Sequence, residues 1–468
     1  MQLYHYRSIK SALKEIGDGT FHFASREELN DPIEGFVGVY WQGDKAAWEG
    51  LFRNYVCSLY HGIELYQLQG DEVQLHHMTL AIDIHAFDDV PLGGIWKSIG
   101  DQFLANATIQ KLADFYGNNR LKVAEEELRL ILHFIHKIAI AICIQSNVDH
   151  KTMPVEEGSR LLEIFRSEDP PFPFEIMDAE LSDEEHRAKI TKAAEDIIED
   201  MRELQYVRFG FDDETFLYGK RRSKELADCK RERTEAQQRR DWMTISVDFP
   251  KVYVDQLKDM VYPESFTVCF STKNNDSAMW GNYAEYHKGV CLVYDFDDTI
   301  AVKGKDHTYY VKPQAVCYEG ERIERNFFES FGRLTFSQIE GWLTGTDGVS
   351  DCYNVFSNEQ AWRNSYWAAY EAKTYRKLKA WEYEQEYRIT LANTFYSFNK
   401  PESRNLKYDP KVLKGIIFGI NTSEYDKKQI MEKLLEWGDE LSDFVFYQAE
   451  YDDEKQEIAI REKTLWKA

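Results

Sequence analysis

The sequence predicts an α+β protein, with a mixed sheet core built from N-terminal and C-terminal segments and a large helical insertion between them. Three observations predict it. Near the start and again after residue 265, apolar residues alternate with the period of strands, as in FHFAS and ESFTVCFST. Between residues 45 and 245 the apolar residues recur instead at helical spacing. The chain has 468 residues, 43% hydrophobic and 14% aromatic, enough for two or three domains with a sizeable core.

The elements follow in order. LYHYRS reads as a short aromatic strand, IKSALKEIGDG as a helix closing on glycine, and FHFAS as a second strand. REELNDPIEG is then a loop, with Asn30, Asp31 and Pro32 as turn formers. Helices are expected over 45–67, 98–115, 120–145, 156–167 and 182–205. Leu128, Ile131, Leu132, Ile135, Ile138, Ala139 and Ile142 form the apolar stripe of the third. EDPPFPF at 168–174 cannot be helical, because proline removes a donor and fixes φ. Strands are expected at 265–272, 289–296, 314–318, 383–391, 414–419 and 443–449, with helical stretches near 276–287, 324–342, 357–380 and 423–436. The expected domains are a core of 1–44 with 265–450, a helical insertion over 45–245, a connector at 246–264 and a charged tail from 451 to 468.

Charge and cysteine usage narrow the function. The net charge of −24 disfavours non-specific nucleic-acid binding. The basic run at 220–240 reads most simply as a solvated helix face or an arm. Seven cysteines without CxxC spacing indicate neither a zinc ribbon nor a disulfide framework. MQLYHYRS does not have the form of a signal peptide, and the window 128–144 is too short and too charged to span a bilayer. A cytoplasmic protein without membrane partners is expected. Walker, GxGxxG and GxSxG patterns do not occur, which sets aside the kinase, Rossmann dehydrogenase and α/β-hydrolase readings.

Two stretches carry candidate chemistry. FSTKNNDSAMWGNYAEYHKG connects two expected strands and places Trp280, Tyr283 and His287 on a short connector. Connectors often hold binding groups. If Trp381–Thr390 is a strand, Glu382, Glu384, Glu386 and Arg388 share one face, with like charges about 6.5–7 Å apart. Such a row is either a solvated edge or the wall of a pocket that needs carboxylates. The types also suit a metal-dependent hydrolase or nuclease, through Asp31, Glu34, His287, Glu384 and Glu386, although no compact ligand motif is present. A third reading is a non-enzymatic sensor or binding module. There the aromatics are packing, Asn30 and Asp31 form a turn, and His287 caps a helix end. His133 and His136 read as core or surface histidines.

LYHYRS, LNDPIEG at 29–35, CFSTKNNDSAMWGNYAEYHKGVCLVYDF at 269–296, KAWEYEQEYRI at 379–389 and LKGIIFGINTSEYDKKQI at 413–430 together resemble a bacterial family, domain of unknown function family 2971. The resemblance covers 1–40 and 265–430 and leaves the helical insertion aside. It implies a cytoplasmic protein and, loosely, bacterial defence. The order of His5-Tyr6-Arg7, Phe270-Ser271-Thr272 and Glu384-x-Glu386 is also similar to ADP-ribosyltransferases. That similarity implies NAD as cofactor and an ADP-ribosyltransferase-like sheet. Glu386 and Glu384 would be catalytic. Tyr6, Arg7, Asn30, Asp31, Ser271, Trp280, Tyr283, His287 and Arg388 would line the NAD site, with a protein or RNA as acceptor. The second serine of the strictest pattern is missing.

Overall fold

The computed structural model describes residues 1–31, 34–69, 91–165, 244–320, 323–394, 398–438 and 443–463, with positions 185, 188, 189 and 192. EDPPFPF, most of the expected helix 182–205 and the basic run 220–240 lie outside the described residues. The chain divides into two compact units, one of 1–37, 263–323 and 367–468 and one of 38–262 and 324–366.

The first unit holds a mixed sheet of eight strands. Their order is Glu457–Glu462, Val445–Asp452, Leu413–Phe418, Val290–Asp295, Gln2–Arg7, Ser265–Ser271, Glu386–Ala392 and Gln314–Ala315. All neighbours are antiparallel except Leu413–Phe418 with Val445–Asp452, which are joined by the helix Glu424–Leu435. A parallel pair needs such a crossover, whereas antiparallel neighbours do not. The protein is thus α+β, its sheet assembled from both ends of the chain.

One face of this sheet carries the apolar core. Leu3, Phe266, Val268, Phe270, Leu292, Tyr294, Ile389, Ile416 and Phe418 pack there with Ala12 and Ile16 of the helix Ile9–Asp18. That helix starts where Ser8 accepts from the Ser11 amide and stops at Gly19 in the left-handed region, φ 60°. Its start and stop signals are those legible in the sequence. A four-stranded sheet of Thr20–His22, Asn405–Lys407, Ile300–Lys303 and Thr308–Val311 adds Phe21, Leu406, Ile300 and Val302 to the same core.

In the second unit the described helices include Lys45–Gln69, Pro91–Leu104, Ala107–Asn119, Glu125–Asp149, Val155–Phe165 and Phe249–Val261. Large aromatics fill it: Trp48 lies 4.9 Å from Tyr116 between ring centroids, and Trp41 lies 5.7 Å from Phe327. His136 is fully buried; its Nε2 donates to the Ile245 carbonyl at 2.7 Å, which leaves Nδ1 to accept from the Tyr55 hydroxyl at 2.6 Å. Burial holds its imidazole down at about 3, so it is a neutral core residue.

Several expectations differ from the structure. Residues 324–366, assigned to the sheet domain from their texture, belong to the second unit. Their apolar residues, Phe327, Phe328, Phe331 and Trp342, pack on one another, as helical texture alone could not show. The expected helix 324–342 is a strand at Glu324–Asn326, a short turn, and a helix only over Phe336–Leu343. The charged tail is part sheet: Glu457–Glu462 is an edge strand, and its Arg461 and the following Lys463 pair with Glu450 of the neighbouring strand. Charge marks edge strands as readily as tails. Within 246–264, the supposed connector is mostly the helix Phe249–Val261.

Candidate functional site

Three adjacent strands of the large sheet, Gln2–Arg7, Ser265–Ser271 and Glu386–Ala392, frame the candidate site. Their register decides which side chains meet. Ser271 stands opposite both Tyr4 and Glu386, and Cys269 opposite Arg388. Side chains alternate along a strand. Tyr4, Tyr6, Ser271, Glu386 and Arg388 therefore share one face, while His5 and Arg7 share the other with the apolar core.

This separates two residues that were both expected at NAD. Arg7 is turned away from Tyr6 and donates through Nε to Glu15 Oε2 at 2.7 Å. His5 meets Glu15 Oε1 at 3.1 Å, and the Tyr294 hydroxyl donates to the same oxygen at 2.7 Å. Arg7 is thus part of a buried carboxylate centre behind the site. Burial by itself would raise the Glu15 carboxyl, but His5 and Arg7 bring it to about 2.

The glutamate stretch also departs from the period-two reading. Lys379–Glu384 is a 3-10 turn, and Gln385 adopts φ 46° before the strand begins at Glu386. Glu384 enters from this turn rather than from the strand, and Glu382 stays exposed. Ser271 Oγ holds the turn by donating to the Glu384 carbonyl at 2.6 Å, and it accepts from the Lys273 amide at 3.0 Å. The Glu386 amide donates to the Tyr318 hydroxyl at 2.8 Å. The strand is internal, between Ser265–Ser271 and Gln314–Ala315, so the reading of a solvated edge does not hold.

A buried ionic cluster results. Glu34, Lys377, Glu384, Glu386 and Arg388 are all between 1 and 8% exposed. Arg388 binds Glu386 through Nε at 2.7 Å and through a terminal nitrogen at 2.9 Å; it also pairs with Glu34 and donates to the Thr374 carbonyl at 2.8 Å. Lys377 Nζ donates to Glu384 at 2.6 Å and to Glu386 at 3.1 Å, and stands 3.7 Å from Glu34. Three carboxylates thus face two cations, with buried Asp31 adding to the negative field at Glu34.

The carboxyls separate in acidity. Burial alone would raise Glu386, but Arg388 and Lys377 bring it to about 2. Burial raises Glu34 to about 7, and Glu386 and Asp31 oppose the relief given by Arg388 and Lys377. Burial likewise raises Glu384, against Lys377 and the Tyr283 hydroxyl bonded to its Oε1. A proton that relieves the excess negative charge is therefore held by the two carboxyls that are hardest to ionise, Glu34 and Glu384, while Glu386 stays ionised.

Half-buried aromatics ring this charged floor. Tyr283 bonds Glu384, and exposed Asn30 lies beside the Tyr283 hydroxyl. Tyr383 accepts from Asn282 at 3.1 Å and lies 6.2 Å from Trp381, whose ring is 5.0 Å from Lys377 Nζ.

The remaining expected residues do other work. Trp280 is fully buried; its Nε1 donates to the Asn274 carbonyl at 2.8 Å, and its ring meets Tyr6 edge-on at 5.1 Å. The Tyr6 hydroxyl is spent on the Lys273 carbonyl at 2.9 Å. Trp280 and Tyr6 therefore pack the connector onto the sheet instead of offering faces to a ligand. The connector's helix ends at Tyr283, and Glu285, Tyr286 and His287 follow with φ of 51°, 56° and 66°. This left-handed run turns the chain into Gly289, where a Cβ would stand 2.2 Å from the Arg7 carbonyl. His287 stacks on Trp280 at 6.4 Å, and its side chain has no hydrogen bond to the cluster. The histidine is neither a helix cap nor a companion of the glutamates.

Lys377 and Tyr318 were not singled out from the sequence. Lys377 lies among Lys373, Arg376 and Lys379, just before the acidic stretch. The charge run was a signal for a partner cation, although it did not say which of the four turns inward.

Among the described residues no three metal-ligating side chains are arranged to hold a metal ion. The positive charge that a metal would bring to Glu34, Glu384 and Glu386 comes from Lys377 and Arg388. No described helix is long and apolar enough to cross a membrane.

Residues 279–389 match a family described as "Protein of unknown function (DUF2971)". The matched stretch contains Tyr283, Lys377, Glu384, Glu386 and Arg388. No curated protein and no solved structure matches the chain.

Proposed function

We propose that the aromatic-rimmed carboxylate site binds NAD and cleaves its nicotinamide–ribose bond, passing ADP-ribose to water or to a protein or RNA acceptor. One observation carries this reading: the three strands bearing the tyrosine, serine and glutamate elements are neighbours, and these side chains share one face. In the reaction the C–N bond breaks and nicotinamide leaves with the electron pair. The acceptor oxygen or nitrogen bonds the anomeric carbon and gives up its proton.

The geometry changes the roles expected of the glutamates. Glu386 has both oxygens committed to Arg388 and one of them also to Lys377, so it serves as a fixed anchor that positions Lys377. Glu384 is as buried as Glu386 but accepts one hydrogen bond on each oxygen, from Tyr283 and from Lys377, and is the carboxylate whose remaining lone pairs are offered to a ribose hydroxyl and the developing positive charge. Tyr283, Trp381 and Tyr383 supply flat surfaces for a ring. With Arg7 behind the sheet, exposed Lys273, two residues beyond Ser271, is offered as a cation for the pyrophosphate.

One observation favours a second reading, a non-enzymatic binding module. Every carboxylate of the cluster already has a cationic partner, as in an ion network that only maintains structure. The two readings separate in one assay. Nicotinamide release is followed with and without candidate protein and RNA acceptors. The transferase reading expects turnover in the wild type and a loss of about 10²–10³ in Glu384→Gln. NAD binding without release supports the module, and neither binding nor release rejects the NAD reading altogether.

A further inference from the structure

The second unit contains a cavity of about 250 Å³, lined by the aromatics Tyr40, Tyr262, Trp362 and Tyr366 and by the charged pair Arg325 and Glu329. We propose that this cavity binds a guanine-type purine base, presented as a neutral base or nucleoside.

The argument runs from size, wall and charge. Drug-sized ligands fill roughly 300–1,000 Å³, so this cavity suits a ring system smaller than a dinucleotide. Its aromatic wall is rigid. Trp362 stacks on Tyr366 at 5.2 Å, Tyr366 lies 4.9 Å from Tyr262, and Trp362 Nε1 donates to the Glu329 carbonyl at 2.9 Å. Such a wall offers a planar ligand a preformed stacking surface. Arg325 is fixed by donating to the Ser365 carbonyl at 3.1 Å, and its Nε has no acceptor.

Of the polar lining, Asn326, Glu324 and Ser330 are committed to protein partners, and the charged groups left to orient a ligand are Arg325, which lies against the Tyr262 hydroxyl, and Glu329. Asn326 is used on both sides of Gln42, donating to its carbonyl at 2.8 Å and accepting from its amide at 3.2 Å. Glu324 is paired with Lys122. The Glu329 carboxylate has no cation among the described residues. A carboxylate accepts from adjacent N–H groups, and a guanidinium donates to adjacent acceptors. Guanine presents both, with N–H donors on one edge and O6 and N7 acceptors on the other. Adenine lacks the paired donors. Two carboxylates beside one arginine disfavour a phosphate, and the arginine itself disfavours a quaternary ammonium in this aromatic setting.

The test is calorimetric titration of the full chain with guanosine, inosine, adenosine and tetramethylammonium. Guanosine is expected to bind. Inosine, without the exocyclic amine, is expected to bind about tenfold more weakly, and adenosine weaker still. Glu329→Gln, at an exposed side chain, is expected to leave the thermal midpoint unchanged and weaken guanosine tenfold to a hundredfold, in the range of one good bidentate pair. Trp362→Leu checks the stacking wall independently and is expected to weaken guanosine and inosine alike. The proposal is overturned by absence of guanosine binding at millimolar concentration, by equal affinity for adenosine, by an unaffected Glu329→Gln, or by tetramethylammonium binding in place of the purines.

Discussion

The large sheet of the first unit buries a carboxylate centre on each face, and the two are built differently. Behind the sheet, Glu15 is met by His5, Arg7 and Tyr294 inside an aliphatic and aromatic core. Its carboxyl is held at about 2 and stays ionised at any ordinary pH. In front, three carboxylates share Lys377 and Arg388, and Glu34 is pushed up to about 7. Half-buried aromatics rim the front cluster. A carboxylate with every partner fixed contributes to stability; a cluster with one negative charge too many retains a group able to exchange a proton or meet a ligand. In the proposed reading this difference assigns function to the front face and a structural role to the rear one.

The comparison can be broken by substitution. The largest effect is expected from Arg388→Leu, which leaves Glu386 and Glu34 buried without their main cation. Losing one partner of a buried pair typically costs about 3–5 kcal/mol, read by urea unfolding. A cost below about 1 kcal/mol would mean that the cluster is open to water. A smaller effect is expected from pH. Glu34 is raised from an ordinary carboxyl to about 7, so the unfolded chain releases this proton before the folded one does. Its contribution to stability is therefore full below about pH 4.5 and is lost as pH rises through about 7, each tenfold difference in acidity being worth about 1.4 kcal/mol. Glu386 and Glu15 act in the opposite sense: their contribution is present above about pH 4.5 and is lost as pH falls towards 2. Thermal midpoints between pH 4.5 and 8 should fall in the wild type and flatten in Glu34→Gln; parallel curves would contradict the assignment. The smallest effect is expected from Tyr283→Phe, which removes one hydrogen bond to Glu384. It should cost about 1 kcal/mol or less in stability and about tenfold in ligand affinity. A large loss of stability with unchanged affinity would move Tyr283 to the structural side.

Much of the front face was legible in the sequence. Period-two alternation located the strands, and the order of Tyr6, Ser271 and Glu386 along the chain brought together three strands that turn out to be neighbours. What failed was facing and register. Arg7 and Tyr6 are consecutive, so one of them had to leave the site, and only pairing with Val290–Asp295 and the helix Ile9–Asp18 decides which. The left-handed Gln385 was equally hidden, since glutamine gives no local signal for a positive φ. It delays the expected strand from 383 to Glu386 and delivers Glu384 from a turn. Trp280 illustrates a third limit. A tryptophan on a connector reads as a ligand platform until its neighbours Tyr6 and Asn274 are known to cover it.

The central claim is that chemistry belongs to the front face alone. It is tested most directly by measuring nicotinamide release per folded molecule for the wild type, Glu384→Gln and Glu15→Gln under one condition. The account predicts release by the wild type, near-complete loss in Glu384→Gln with little change in stability, and full specific activity in Glu15→Gln despite a lower unfolding free energy. Equal losses in both variants, or a wild type that releases no nicotinamide with any acceptor, would contradict it.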